Sequence, residues 1–277
     1  MDTYAGLGCQ TTWTCAPYLL ATRPGLGDQV AFGESNAIAF ASSVLGARTE
    51  RYEDFLDACA AVAGRVPDFG LHRAENRHGE RVFRLDALPE RLRREDVFYP
   101  VLGHLVGRHT GEAIPVVCGL PARATEDQFK AFGAAAASSG SVALFHAVGI
   151  TPEAPTLEEA CGRKQPQGEV DVTPSLLRRA RDELTTREEG ALAAVSLGTR
   201  HASLDEVTQV AELLDGASVH ADVDLFISTG RQTLPALEER GVATALEAAG
   251  VTVVDTCTYV TPILRPPAGL VITNSAK

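Results

Sequence analysis

The sequence predicts an α/β fold with parallel or mixed sheets and helices on both faces. Three observations carry this expectation. Short apolar runs alternate with helical stretches along most of the 277 residues, and such regular alternation calls for strands joined through helical crossovers. Three helices open on capping residues: Thr125 and Gln128 can cap reciprocally, Thr156 with Glu159 begins a short helix, and Ser203 with Glu206 caps a third. The run Ile114–Cys118 reads as a strand buried on both faces, as parallel sheets require.

Gln29–Gly33 reads as a short strand running into a helix over residues 35–47, and a second helix over 51–63 stops at Gly64. Residues 70–78 are loop-like, and Val82–Leu85 reads as a strand. After Ile114–Cys118 comes the helix capped by Thr125, whose run Ala134–Ala137 marks tight packing, then a strand over Val142–Phe145 and a short helix from Thr156. The polar stretch Gly162–Gly168 is the best linker, dividing a first lobe, residues 1–161, from a second, residues 169–277. The second lobe alternates strand 170–172, helix 175–184, strand 193–197, the helix capped by Ser203, strand 224–228, helix 234–249 and strand 251–255.

Composition bounds the function. A hydrophobic content of 45% and a charged content of 22% provide a sizeable core and exclude global disorder. The net charge of −11 argues against nucleic acid or an anionic membrane surface as the main partner. No apolar run reaches the roughly 20 residues that span a bilayer, and residues 1–4 carry no secretory signal. Six cysteines are too sparse for a disulfide scaffold, so the expected compartment is the reducing cytoplasm.

There is no phosphate loop, dinucleotide glycine fingerprint, paired CxxC or HExxH. The chemistry-bearing residues lie instead near strand ends, where open parallel sheets bind ligands. Cys15 sits beside Pro17, while Cys118 and Cys257 follow strands. Converging thiolates hold iron, and a lone free cysteine equally serves as a small buried hydrophobe. Ser35 and Asn36 stand where helix caps stand, and Glu34 is surplus to capping. Arg48 can clamp a carboxylate in two-point fashion; His72 lies in a polar loop, and His201 at a strand-to-helix turn. A Cys15 or Cys257 nucleophile activated by His201 is an alternative reading of the same residues.

Taken in order, Trp13–Tyr18, Gly33–Asn36, Ser43–Thr49, Gly70–His72, Glu75–Arg77, Thr151–Ala154, Asp255–Cys257 and Thr273–Lys277 resemble the aconitase X family, iron-dependent hydro-lyases related to aconitase. The resemblance implies an aconitase-like, three-layer α/β catalytic part. It also implies an iron or iron–sulfur centre of unspecified type, and a small swivelling domain or subunit that closes over the site. It makes Cys15 and Cys257 metal ligands, with Glu34, Ser35 and Lys277 at the substrate. Asn36, Arg48, His72 and His201 are further candidates to contact substrate. Archaeal members carry a cysteine where this chain has Thr199, which leaves Cys118 as the substitute third ligand.

The implied reaction is dehydration of a small β-hydroxy acid. The first expectation is cis-3-hydroxy-L-proline going to Δ1-pyrroline-2-carboxylate, as in bacterial members. Phosphomevalonate, the archaeal substrate, is the second. The rival is a catalytically degenerate relative that binds a small acid or a partner chain. Residues 4–9 read like the middle of a domain, and about the first hundred residues expected of the family have no counterpart. Relatives also continue past Lys277. The expectation is therefore a partial catalytic domain, truncated or one piece of a split enzyme, whose open strand surface favours self-association.

Overall fold

Strands that follow one another through helices can pair in parallel, and every strand pairing among the described residues is parallel. The computed structural model describes residues 2–52, 55–187, 189–256 and 269–277. The chain divides into two units, Thr22–Thr186 with Ala276–Lys277 and Met1–Ala21 with Arg187–Ser275.

In the larger unit four strands, β1 (Arg81–Arg84), β2 (Pro115–Cys118), β3 (His146–Ala147) and β4 (Gly168–Asp171), form a sheet in the order β3-β2-β1-β4. Arg81 pairs with Pro115 on one side and Gly168 on the other, so Val82 and Phe83 are fully buried at the sheet centre. The crossover from β1 to β2 runs through the helix Phe98–Thr110, and that from β2 to β3 through Glu126–Gly140. The Thr125–Gln128 capping box forms, and Ala134–Ala137 are all buried. These two helices lie close because small residues face each other. A Cβ on Gly103 would stand 2.9 Å from Ala135 Cβ and 3.0 Å from the Phe132 carbonyl carbon.

The Phe98–Thr110 helix has no counterpart in the sequence reading, because Pro100, Gly103 and Gly107 mask a helical pattern. Pro100 sits in the first turn, where no intrahelical N–H bond is lost. Residues 142–145 are largely buried, but pairing with β2 begins only at His146. The expected boundary at residues 162–168 is also corrected. Gly168 already pairs in β4, and the following helix Pro174–Leu184 packs on Phe98–Thr110, so the division falls at 186/187.

In the smaller unit β5 (Leu192–Ala202), β6 (Asp224–Thr229), β7 (Val251–Val254) and β8 (Leu270–Thr273) are ordered β7-β6-β5-β8. Its core joins Ala202, Val207, Ile227, Leu237, Leu246 and Val251. The expected helix 234–249 is two helices, Leu234–Glu239 and Val242–Ala248, parted by Gly241 at φ 70°. The winding reverses between β5 and β8, the kind of switch point at whose carboxyl edge α/β sheets bind ligands. There β5 departs from regular pairing. Leu197 pairs with Ile227 and Ala202 with Thr229, so residues 198–201 all stand opposite Ser228. No described helix is long and apolar enough to cross a membrane.

Gly103→Ala should destabilise the protein by about 1–3 kcal/mol through overpacking, although alanine is the better helix former. Urea unfolding checks this; an unchanged or raised midpoint contradicts the close helix approach.

Candidate active site

In the larger unit, Glu34 ends the extended run before the helix Ser35–Phe40. Its carboxylate accepts the Asn36 backbone N–H at 3.3 Å, and Ser35 Oγ donates to the same oxygen at 3.5 Å. Lys277 Nζ pairs with that oxygen as well. Three of the expected substrate residues, Glu34, Ser35 and Lys277, therefore meet. Asn36 follows directly but is fully buried.

The helix continues as one π turn, Ala41–Leu45, and Gly46 closes it at φ 68°. Eleven residues at 1.5 Å each span roughly 16 Å, and Arg48 follows the far end. There its backbone bridges Gln29, and its guanidinium lies 3.6 Å from Glu153. Glu153 is shared with Arg77, which is 2% exposed and bonds the carboxylate through Nε and Nη2. Arg77 also donates to the Leu71 carbonyl at 2.9 Å and the Ser42 carbonyl at 2.7 Å, and His146 Nε2–H donates to the Arg77 carbonyl at 2.7 Å. Burial holds the His146 pKa below its ordinary value.

His72 belongs to this second cluster. Its Nδ1–H donates to Gln29 Oε1 at 2.6 Å, and Nε2 accepts the Tyr52 hydroxyl. Burial lowers the His72 pKa, and burial followed by the Glu50 charge pushes Tyr52 up to about 12. The cluster thus keeps a neutral imidazole between a protonated phenol and an amide. Arg48 and His72 are braced here, at the opposite end of the helix from Glu34. Gln29, Tyr52 and Glu153 escaped the sequence reading because each earns its place only through partners distant in the chain.

In the smaller unit the 198–201 excursion of β5 has its own polar cluster. Gly198 takes φ 71°, with its Cα side against the Ser228 carbonyl, a position without room for a side chain. Its N–H donates to Asn274 Oδ1 at 3.3 Å. His201, fully buried at φ 46°, meets Thr14 Oγ1 through Nδ1 at 3.1 Å. The neighbouring Cys15 thiol points to the Thr199 carbonyl at 4.0 Å. The fold thus joins the 14–15 and 199–201 segments through Thr14–His201 and Cys15–Thr199.

Cys257 lies outside the described residues. Cys118, in the larger unit, packs on the cluster of Val82, Val116, Ala154, Ala160 and Cys161, and burial raises its thiol pKa. Those surroundings disfavour the thiolate that a metal requires. Cys15, half-buried with its thiol 4.0 Å from the Thr199 carbonyl, has donor chemistry that suits iron. Among the described residues no three His, Cys, Asp or Glu converge on one point.

Two parallel α/β units, one with a capped carboxylate–lysine pair and the other with a cysteine by its strand ends, are the kind of scaffold on which α/β enzymes place their ligands. Comparison with known proteins makes the family specific. Residues 1–75 match the aconitase X first domain, 79–182 the second and 192–277 the third. The chain belongs to the aconitase X family. Cis-3-hydroxy-L-proline dehydratase of Pseudomonas aeruginosa is 41% identical over 99% of this chain, and that of Hypocrea jecorina 40% over 99%. A phosphomevalonate dehydratase large subunit of Methanothermobacter thermautotrophicus is 37% identical over 95% of the chain and 63% of its own length. The crystal structure of Thermococcus kodakaraensis aconitase X (holo-form) superposes with a TM-score of 0.89 at 31% identity, covering all of this chain and 69% of that one. The aconitase-like α/β fold expected from the sequence is thus the fold observed, with parallel rather than mixed pairing among the described strands. The chain spans about half the length of the cis-3-hydroxy-L-proline dehydratases, 47% in each case.

His146 and His72 both resist protonation in the folded state, whereas in the unfolded chain they titrate near pH 6.5. Stability should therefore fall as pH drops below about 6.5, levelling off below their depressed folded values, by at most about 1.4 kcal/mol per pH unit for each histidine. Urea midpoints between about pH 7.5 and pH 5 test this. His146→Gln should flatten the slope, and an unchanged slope would remove His146 from the account.

Proposed function

We propose that this chain is the catalytic part of an iron-dependent hydro-lyase that converts cis-3-hydroxy-L-proline to Δ1-pyrroline-2-carboxylate. One observation carries the choice of substrate. Identity to the cis-3-hydroxy-L-proline dehydratases is 40–41% along nearly the whole chain, against 37% or less for the phosphomevalonate dehydratase large subunits.

Dehydration removes the Cα proton and the Cβ hydroxyl as water, leaving an enamine that tautomerises to the cyclic imine. The Cα proton is weakly acidic, so charge that develops on the substrate carboxylate needs a fixed cation. Lys277, held at Glu34, is that cation, and Ser35 offers a hydroxyl to orient the acid. Cys15 and Cys257 would hold iron, which supplies a Lewis acid for the departing hydroxyl. A base must reach the Cα proton, and in this reading a small swivelling domain or partner subunit brings it. Relatives named as large subunits support such a partner.

The test uses anaerobically purified chain, alone and with an added small-subunit chain, following product by NMR. Turnover should require the addition. Lys277→Met should lower kcat/KM by roughly 10²–10³-fold, and Cys15→Ser should abolish iron binding. Full activity of the chain alone would overturn the partner assignment, and iron retained by Cys15→Ser would overturn the ligand.

A further inference from the structure

Residues 276–277 belong to the larger unit, although the strand β8 just before them belongs to the smaller one. Lys277 pairs with Glu34, and one residue earlier the Ala276 carbonyl accepts a hydrogen bond from Ser138 Oγ at 3.4 Å. Ser138 stands in the last turns of the helix Glu126–Gly140, directly after the alanine run. Alanine would be the better helix former at 138 and 139 as well, so neither serine is there for the helix itself. The Ser139 hydroxyl reaches the His104 carbonyl of the neighbouring helix at 3.2 Å. Ser138 touches the Ala135 carbonyl locally at 3.2 Å, and its one distant partner among the described residues is Ala276.

The helix that carries Ser138 is a fixed platform for both partners of the ion pair. It is seated closely on Phe98–Thr110: a Cβ on Gly107 would stand 2.7 Å from the Ala136 carbonyl oxygen, and one on Gly140 2.6 Å from Gly107 Cα. It also packs against Ser35–Phe40, the helix that Glu34 caps, where a Cβ on Gly133 would lie 3.6 Å from Ala39 Cβ. Glu34 and the 276–277 backbone are thus both held by one rigid element. A lysine ammonium sits on a flexible four-carbon stem. Anchoring the backbone one residue before it removes freedom that opposes a defined placement. We propose that Ser138 is a positioning residue, which holds the Ala276 carbonyl so that Lys277 meets Glu34. The anchor stands on the geometry of the larger unit, whereas its use in binding an acid rests on the hydro-lyase reading.

The chain has three lysines, Lys130, Lys164 and Lys277, so trace acetylation of the folded full chain with acetic anhydride, quantified by mass spectrometry, reads each amine. Exposed Lys164 is the internal reference. Lys130, 1% exposed on the same helix as Ser138, reports any opening of that helix. In the wild type Lys277 should be acetylated more slowly than Lys164. Ser138→Ala should raise the Lys277-to-Lys164 ratio by roughly 2–10-fold, the worth of one neutral hydrogen bond, with Lys130 unchanged. Ser138→Thr, which keeps the hydroxyl, should stay near the wild-type ratio. An unchanged ratio in Ser138→Ala, an equal rise in Ser138→Thr, or a parallel rise at Lys130 would overturn the positioning role. Added cis-3-hydroxy-L-proline should slow Lys277 acetylation further in the wild type. No effect of this acid would overturn the contact between Lys277 and substrate while leaving the anchor in place.

Discussion

The buried guanidinium of Arg77 is the interaction on which the larger unit depends. It is the common partner of three segments far apart in sequence: the π turn through Ser42, the 70–72 turn through Leu71, and the 151–154 turn through Glu153. A charge buried this completely is tolerable only when its donors are matched, and Arg77 finds a carboxylate and two carbonyls. His146 secures the same residue from the backbone side, which ties the end of the sheet to the network. Arg48 then inherits its position from Glu153. The π turn itself, which wraps the chain between Glu34 and Arg48, has its wayward carbonyl satisfied by Arg77.

Two kinds of polar cluster follow from this frame, and they differ in what they leave available. Around Arg77, Glu153, His146, His72 and Tyr52 each group has a protein partner, and burial holds the histidines neutral and Tyr52 protonated. Such a network stiffens a fold. Around Glu34 the pairing is lighter: one lysine, one serine and a backbone N–H on a partly exposed carboxylate. Groups with spare capacity at an accessible edge are those that can exchange partners with a ligand. The smaller unit offers the same contrast. Its apolar cluster is continuous, while the 198–201 excursion gathers Cys15, Thr14, His201 and Asn274 at the carboxyl ends of its strands.

Much of this was legible in the chain. The capping pairs at Thr125, Thr156 and Ser203 act within one helical turn, and all three helices begin there. The family was legible through ordered resemblance along the whole sequence. Cys118 shows what sequence leaves undecided. A cysteine after a strand looks the same in sequence whether it faces a crevice or an apolar cluster.

By itself the sequence determined the α/β alternation, the starts of the capped helices and the family. Each of these rests on short-range physics or on ordered motifs. Tertiary structure alone decided which polar residues meet. Only folding shows that Arg48 and His72 brace one end of a helix while Glu34 and Lys277 occupy the other, and that the division falls after β4 rather than before it. Partners such as Glu34 and Lys277, 243 residues apart, are chosen by packing and charge compensation across the fold, and no local pattern encodes them.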